Sequence, residues 1–287
     1  MGFVLFLWGR WLELIPYRKL TGGMVELEGL ALGESEVMNR KKKNVQAIII
    51  KYKLRYKSVM VKESLLKVRS TLKEGVQLIA VSKTKPVEDL QEAYDAGQRL
   101  FGENKALEMR DKHAVLPEDI EWHFIGHLQT NKIKYIAAYV RMIHSIDSLN
   151  LLEAVDKEAR KHDRVIDCLL QFHIATEETK FGLNMDEARA LLESPEYAAL
   201  EHVRIVGVMG MATNTTDREL VRREFRTLRE YRDQLAEKYF KGHEEFREIS
   251  MGMSHDYDIA MEEGSTMVRI GSTIFGARDY GVQVNDV

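Results

Sequence analysis

From Val61 onward, short apolar runs of four to six residues, mostly β-branched, alternate with longer segments whose apolar residues recur every three to four positions. The short runs predict strands and the longer segments predict helices. Eight strands are expected, at Val76–Val81, Arg99–Gly102, Trp122–Ile125, Met142–Ser145, Cys168–Phe172, Ile205–Met209, Glu248–Met251 and Met267–Ile270. Helical spacing falls between them, at Val87–Ala96, Lys105–Lys112, Asn131–Ala138, Ser148–Lys161, Met185–Glu193, Asp217–Tyr239 and Tyr257–Glu263, with one helix at Val61–Leu72 ahead of the first strand. Strands alternating with helices predict a parallel sheet. A count of eight favours a single (β/α)8 TIM barrel with an extra N-terminal helix. The competing open, doubly wound sheet usually has a Gly-rich first turn. Here the first strand runs into Ser82-Lys83-Thr84-Lys85-Pro86, without a glycine.

The first 60 residues differ. Residues 1–37 are apolar and then mildly acidic without a clear period, and Arg40–Lys57 holds only basic and neutral residues. The expected division is therefore 1–59, an N-terminal extension that is poorly ordered or read from an upstream start, and 60–287, the barrel. A membrane-surface or nucleic-acid arm is the sharper alternative, but the segment lacks a sustained amphipathic pattern. The longest apolar run there, Gly2–Trp8, is closed by Arg10 and falls far short of a membrane span.

Composition narrows the picture further. The chain is 45% hydrophobic and 30% charged, with a formal net charge of -3. That balance gives no reason to expect nucleic acid or membrane as a partner. Cys168 is the only cysteine, which excludes an intrachain disulfide and fits the expected cytoplasmic location. No metal site is expected from one thiol and nine scattered histidines.

Barrel enzymes carry their chemistry at the C-terminal ends of the strands. Lys83 ends the first strand, where a desolvated amine can attack a carbonyl. Asn104 follows the second, and two readings stay open for it: a ligand contact or a helix N-cap. His123 and Met209, on the third and sixth strands, are further candidates for lining the site, and His123 reads equally well as a satisfied core histidine. Ser250-Met251-Gly252-Met253-Ser254 follows the seventh strand, and Gly271-Ser272 follows Arg269 on the eighth. The loops after strands seven and eight commonly bind phosphate in this architecture. Glycine backbone and the Ser250, Ser254 and Ser272 hydroxyls suit that task, with ordinary turn chemistry as the plain alternative. A buried Arg269 needs a partner. A lysine and a phosphate cradle facing each other across the mouth fit a phosphorylated aldehyde or ketone. Spacing alone does not separate pyridoxal 5'-phosphate (PLP) from an aldolase-type sugar phosphate.

Five ordered motifs carry a resemblance. Ala80-Val81-Ser82-Lys83-Thr84-Lys85-Pro86, Phe101-Gly102-Glu103-Asn104, Trp122-His123-Phe124-Ile125-Gly126 with Leu128-Gln129, Ser250–Ser254, and Met267–Ser272 with Ile274–Tyr280 together resemble the YggS/PROSC family of PLP homeostasis proteins. The resemblance covers about Val61 to Tyr280. It implies a barrel like the N-terminal domain of alanine racemase, a Schiff base of PLP on Lys83, phosphate contacts from the Ser250–Ser254 loop and Gly271-Ser272, and Arg269 facing the pyridine nitrogen. The chain departs from the family at His173, where asparagine is expected, and Lys180-Phe181-Gly182 matches a Lys-x-Gly pattern after a variable stretch. The expected function is PLP homeostasis without robust catalysis, in a monomer that serves PLP-requiring apo-enzymes. An amino-acid racemase is the alternative. It needs a base on each face of the substrate carbanion, and in alanine racemase the second base comes from an added β-domain for which the residues after the last strand leave no room.

Overall fold

The computed structural model describes residues 2–8, 11–19, 25–27, 60–177 and 181–276. The chain divides into two units, Met1–Tyr56 and Lys57–Val287. In the first, β1 (Gly2–Trp8), β2 (Trp11–Lys19) and β3 (Val25–Leu27) form a three-stranded antiparallel sheet in that order. Its register sets Trp8 opposite Trp11 and Tyr17 opposite Leu27. The expectation of poor order over 1–59 otherwise lies outside the described residues.

In the second unit, helix α1 (residues 60–71) precedes eight strands: β4 (Gln77–Val81), β5 (Leu100–Glu103), β6 (Glu121–Phe124), β7 (Met142–Ile146), β8 (Ile166–Phe172), β9 (Val203–Gly210), β10 (Glu248–Ser250) and β11 (Met267–Ile270). Each pairs in parallel with the next, and β11 pairs with β4, so the sheet closes into a barrel. All eight expected strands are present, with bounds within two residues of those read from the sequence.

The connecting helices are α2 (Val87–Asp95), α3 (Ala106–His113), α4 (Leu149–Arg160), α5 (Met185–Leu192), α6 (Pro195–Ala198), α7 (Arg218–Tyr239), α8 (Tyr257–Glu262) and α9 (Ser272–Phe275). Local chemistry starts several of them. Asn184 and Glu187 form a reciprocal capping box on α5, and the Asp217 carboxylate accepts the Glu219 and Leu220 N–H groups at the start of α7. Along α7, Val221, Phe225, Leu228 and Leu235 recur on one buried face. One expected helix is corrected: over Asn131–Ala138 the chain forms a 3-10 helix, Thr130–Tyr135. Short 3-10 pieces are common as connectors between regular elements.

Strand alternation builds two apolar layers. Leu78, Trp122, Phe124, Ile143, Leu170 and Val208 face outward under the helices. Ile79, Met142, Leu169, Val206, Met209 and Met267 fill the barrel interior. Two residues further along the same strands the interior turns polar: His144 follows Met142, Gln171 follows Leu169, and Arg269 follows Met267. An apolar plug thus underlies a buried polar layer just below the C-terminal mouth. Cys168 lies on the outward side, where burial pushes its thiol pKa up and leaves it unreactive. Among the described residues no helix is long and apolar enough to cross a membrane, and no group of His, Cys, Asp and Glu is arranged to hold a metal ion.

Candidate functional site

Lys83 is half-buried in a turn just past the end of β4. The Lys85 N–H donates to the Ser82 carbonyl at 3.0 Å, closing the turn around Lys83 and Thr84. Thr84 sits at φ +62°. Left-handed backbone at the third position of a turn normally calls for glycine or asparagine, and a β-branched residue there is strained. Strain of this kind persists only where the surroundings impose it. The Thr84 N–H donates to Glu108 Oε1 at 2.6 Å, and Lys85 Nζ donates to the Phe275 and Gly276 carbonyls at 2.9 and 3.0 Å. Lys85 thereby ties this loop to the end of α9.

Barrel closure corrects one expectation about placement. Arg269 of β11 pairs with Ile79 of β4, so the Lys83 turn and the Gly271-Ser272 segment are neighbours and do not face each other across the mouth. The first and last strands of a closed barrel are adjacent by construction.

Arg269 is 4% exposed. Its guanidinium donates to Ser250 Oγ at 2.6 Å and to the Gly210 carbonyl at 3.0 Å. Ser250 Oγ lies 2.9 Å from His144 Nδ1, and His144 Nε2 lies 2.8 Å from His123 Nδ1. Arginine has no acceptor, so the assignment that satisfies most donors runs outward: Arg269 to Ser250, Ser250 to His144, and His144 to His123. Burial draws Arg269 down to about 10, against the opposing pull of Asp256, so it stays charged at neutral pH. Burial holds His123 at about 3 and His144 well below the ordinary histidine value, and nearby cations add to both shifts. Both imidazoles are therefore neutral. Ser250, expected at the anion cradle, instead faces the interior with its hydroxyl engaged. His123 is a core histidine as well as a candidate, since its Nε2 is buried without a partner among the described residues. Met209 belongs to the apolar plug.

Past β10 the backbone turns at Gly252, whose φ is +93° and where a Cβ would sit 2.5 Å from that of Ala260. Asp256 Oδ1 accepts the Met253 N–H at 2.5 Å, and the Gly252 carbonyl accepts the Arg269 N–H at 2.9 Å, which fixes this loop to β11. Ser254 is half-buried and Ser272 is exposed at the start of α9. The loops after β10 and β11 thus lie side by side, with Ser254 on one and Ser272 on the other.

Asn104 follows β5 but caps nothing: the N-cap of α3 is Lys105, and no side chain caps that helix. Its Oδ1 is buried without a partner among the described residues. A cleft of about 330 Å³ opens beside it, lined in part by Leu107, Glu108, His127, Gln129 and Lys132. Lys83, Arg269 and the loops after β10 and β11 do not line this cleft, which lies on the β5–β6 side. Gly126 packs directly on the Asn104 backbone, where a Cβ would lie 2.5 Å from the carbonyl oxygen. Gly126→Ala is expected to displace the Asn104 loop and cost about 1–3 kcal/mol, read as a lower thermal midpoint. The His173 Nε2–H donates to the Glu177 carbonyl at 2.8 Å, and Lys180 lies outside the described residues.

The family model described as alanine racemase, N-terminal domain, matches residues 60–279. A pyridoxal phosphate homeostasis protein from Aquifex aeolicus is 42% identical over 205 residues, covering 71% of this chain and 88% of the relative. The structure of PipY from Synechococcus elongatus with PLP bound is 36% identical, with a TM-score of 0.68, covering 75% of this chain and 100% of PipY. The PipY structure without PLP gives a TM-score of 0.70 at the same coverage.

Proposed function

The chain belongs to the pyridoxal phosphate homeostasis protein family, and from that premise we propose that it holds PLP on Lys83 and releases it to enzymes that require it. The observation that supports the reading is the pairing of β4 with β11, in which the buried, donor-only Arg269 stands opposite Ile79 on the strand that leads to Lys83.

The residues fit the cofactor. When bound, PLP supplies an aldehyde carbon open to an amine, an anionic phosphate and an aromatic ring nitrogen. Lys83 offers the amine. The Gly252 loop with Ser254, and Gly271 with Ser272, offer the phosphate cradle. Asn104, with its orphaned Oδ1, offers an amide to the ring's polar edge. Arg269 offers the ring nitrogen an N–H donor, and Ser250 with the Gly210 carbonyl fixes the guanidinium plane.

Arg269 also argues for storage over turnover. A charged arginine only donates, so it keeps the ring nitrogen unprotonated. The ring is then a weak electron sink, and carbanion chemistry on a bound amino acid is muted. The reading carries with it a cytoplasmic monomer, with PLP-requiring apo-enzymes as recipients.

The test is spectroscopic. Protein loaded with PLP shows a visible absorbance band that borohydride bleaches, leaving a pyridoxyl group on Lys83 by mass spectrometry. A colourless protein that takes up no PLP overturns the reading. Incubation with L-amino acids in heavy water gives slow exchange at Cα; fast exchange with D-product would favour the racemase.

A further inference from the structure

The backbone on both sides of Lys83 is gripped by one buried ionic cluster that none of the roles above uses. Lys112 of α3 donates from Nζ to the Ser82 carbonyl, to Glu103 Oε1 and to Glu108 Oε1, each at 2.7 Å. The Ser82 hydroxyl donates to Glu103 Oε1 at 2.6 Å. The same Glu108 Oε1 accepts the Thr84 N–H at 2.6 Å. The residue before Lys83 and the residue after it are thus tied to the same ammonium and its two carboxylates.

The cluster is no surface ornament. The Glu103 side chain is fully buried and that of Lys112 is 6% exposed. Exposed ion pairs contribute little, but removing one partner of a buried pair strands the other. The turn it grips is the one with Thr84 in the left-handed region, a conformation that a relaxed loop would abandon. Glu103 comes from β5 and Glu108 with Lys112 from α3, so the second βα unit holds the turn of the first.

We propose that Lys112, with Glu103 and Glu108, is a positioning clamp that holds the Lys83 turn in its left-handed geometry and sets how fast Lys83 takes up its aldehyde. The proposal rests on Lys83 being the cofactor lysine. Lys112 touches only protein groups; it acts through the turn.

The experiment uses the full-length apo-protein and PLP. It measures the rate of the absorbance change on mixing, the pyridoxyl mass on Lys83 after borohydride, and the thermal midpoint. Lys112→Met is expected to load at least ten times more slowly and to melt lower, because Glu103 is left unpaired. Adding Thr84→Asn to that variant is expected to restore most of the rate, since asparagine accepts left-handed backbone without a clamp. The midpoint should stay low, because the stranded carboxylate remains. Glu108→Leu keeps the Lys112–Glu103 pair, removes the Thr84 acceptor together with one of the two carboxylates on Lys112, and is expected to load several-fold more slowly; it decides the matter if Lys112→Met does not fold. Variants that load within twofold of the wild type, or a loss that Thr84→Asn does not restore, overturn the clamp. A wild type that leaves Lys83 unmodified sinks the assignment of Lys83 instead.

Discussion

Protein with Lys83→Ala is expected to stay colourless with PLP, to give no pyridoxyl adduct after borohydride, and to lose the cofactor on gel filtration. Only the phosphate cradle, Asn104 and Arg269 then remain to hold it. A weakening of at least ~100-fold is expected, or ~2.8 kcal/mol of binding free energy. The fold should not suffer. Lys83 is a half-buried turn residue outside the core, and substitutions at such positions usually cost within about 0.5 kcal/mol. The apo thermal midpoint should therefore move by no more than about 2 °C. Lys85→Ala is the matched control. Lys85 Nζ points to the Phe275 and Gly276 carbonyls, so its loss should loosen the loop and keep the adduct. If Lys83→Ala protein still carries a reducible pyridoxyl group on Lys85 or Lys105, the assignment of the cofactor lysine fails.

The barrel was readable because each strand is a short apolar run between segments of helical period, and eight such runs leave few closed alternatives. The one-turn helices α6 and α9 were not, since four residues hold no period. Nor was the antiparallel sheet of β1–β3, where the aromatic and apolar residues do not alternate. The structure places Lys83 and Asn104 just past the ends of β4 and β5 and Arg269 near the end of β11, the positions read from the sequence. Ser250 was expected at the anion cradle, but its hydroxyl engages Arg269 and His144, a contact that depends on β7, β10 and β11 meeting inside the barrel. His144 left a faint signal. It lies two residues after Met142 in an apolar strand, hence on the inward face, and a histidine so placed needs a polar partner. Lys112 left none: a lysine in a charged helix reads as solvated, and only tertiary packing buries it.

That inward polar layer should make the barrel acid-sensitive well above the carboxylate range. His123 is held at about 3 and His144 well below its ordinary value, chiefly by burial, so both are neutral in the fold. In the unfolded chain each takes up a proton near pH 6.5. A depressed histidine therefore contributes stability that is fully present above pH 6.5 and is lost as the pH falls toward the folded value. Between pH 7 and pH 5 His123 should cost about 2 kcal/mol, or about 4–8 °C in thermal midpoint, and His144 acts in the same direction. Glu103 and Asp256 work the other way, because burial pushes both carboxyls up. Their share is removed by comparison with His123→Gln, which lacks one titrating imidazole. The pH profile of that variant, measured by scanning calorimetry, should be shallower than wild type by about 2 kcal/mol over the same interval. Parallel profiles would show that His123 is charged or hydrated in the fold. Neutral histidines also serve Arg269. A proton on His144 would bring a second positive charge onto the Ser250 hydroxyl that the guanidinium already occupies. The depth of burial that makes the layer acid-labile is thus the same feature that keeps Arg269 aligned with the mouth at neutral pH.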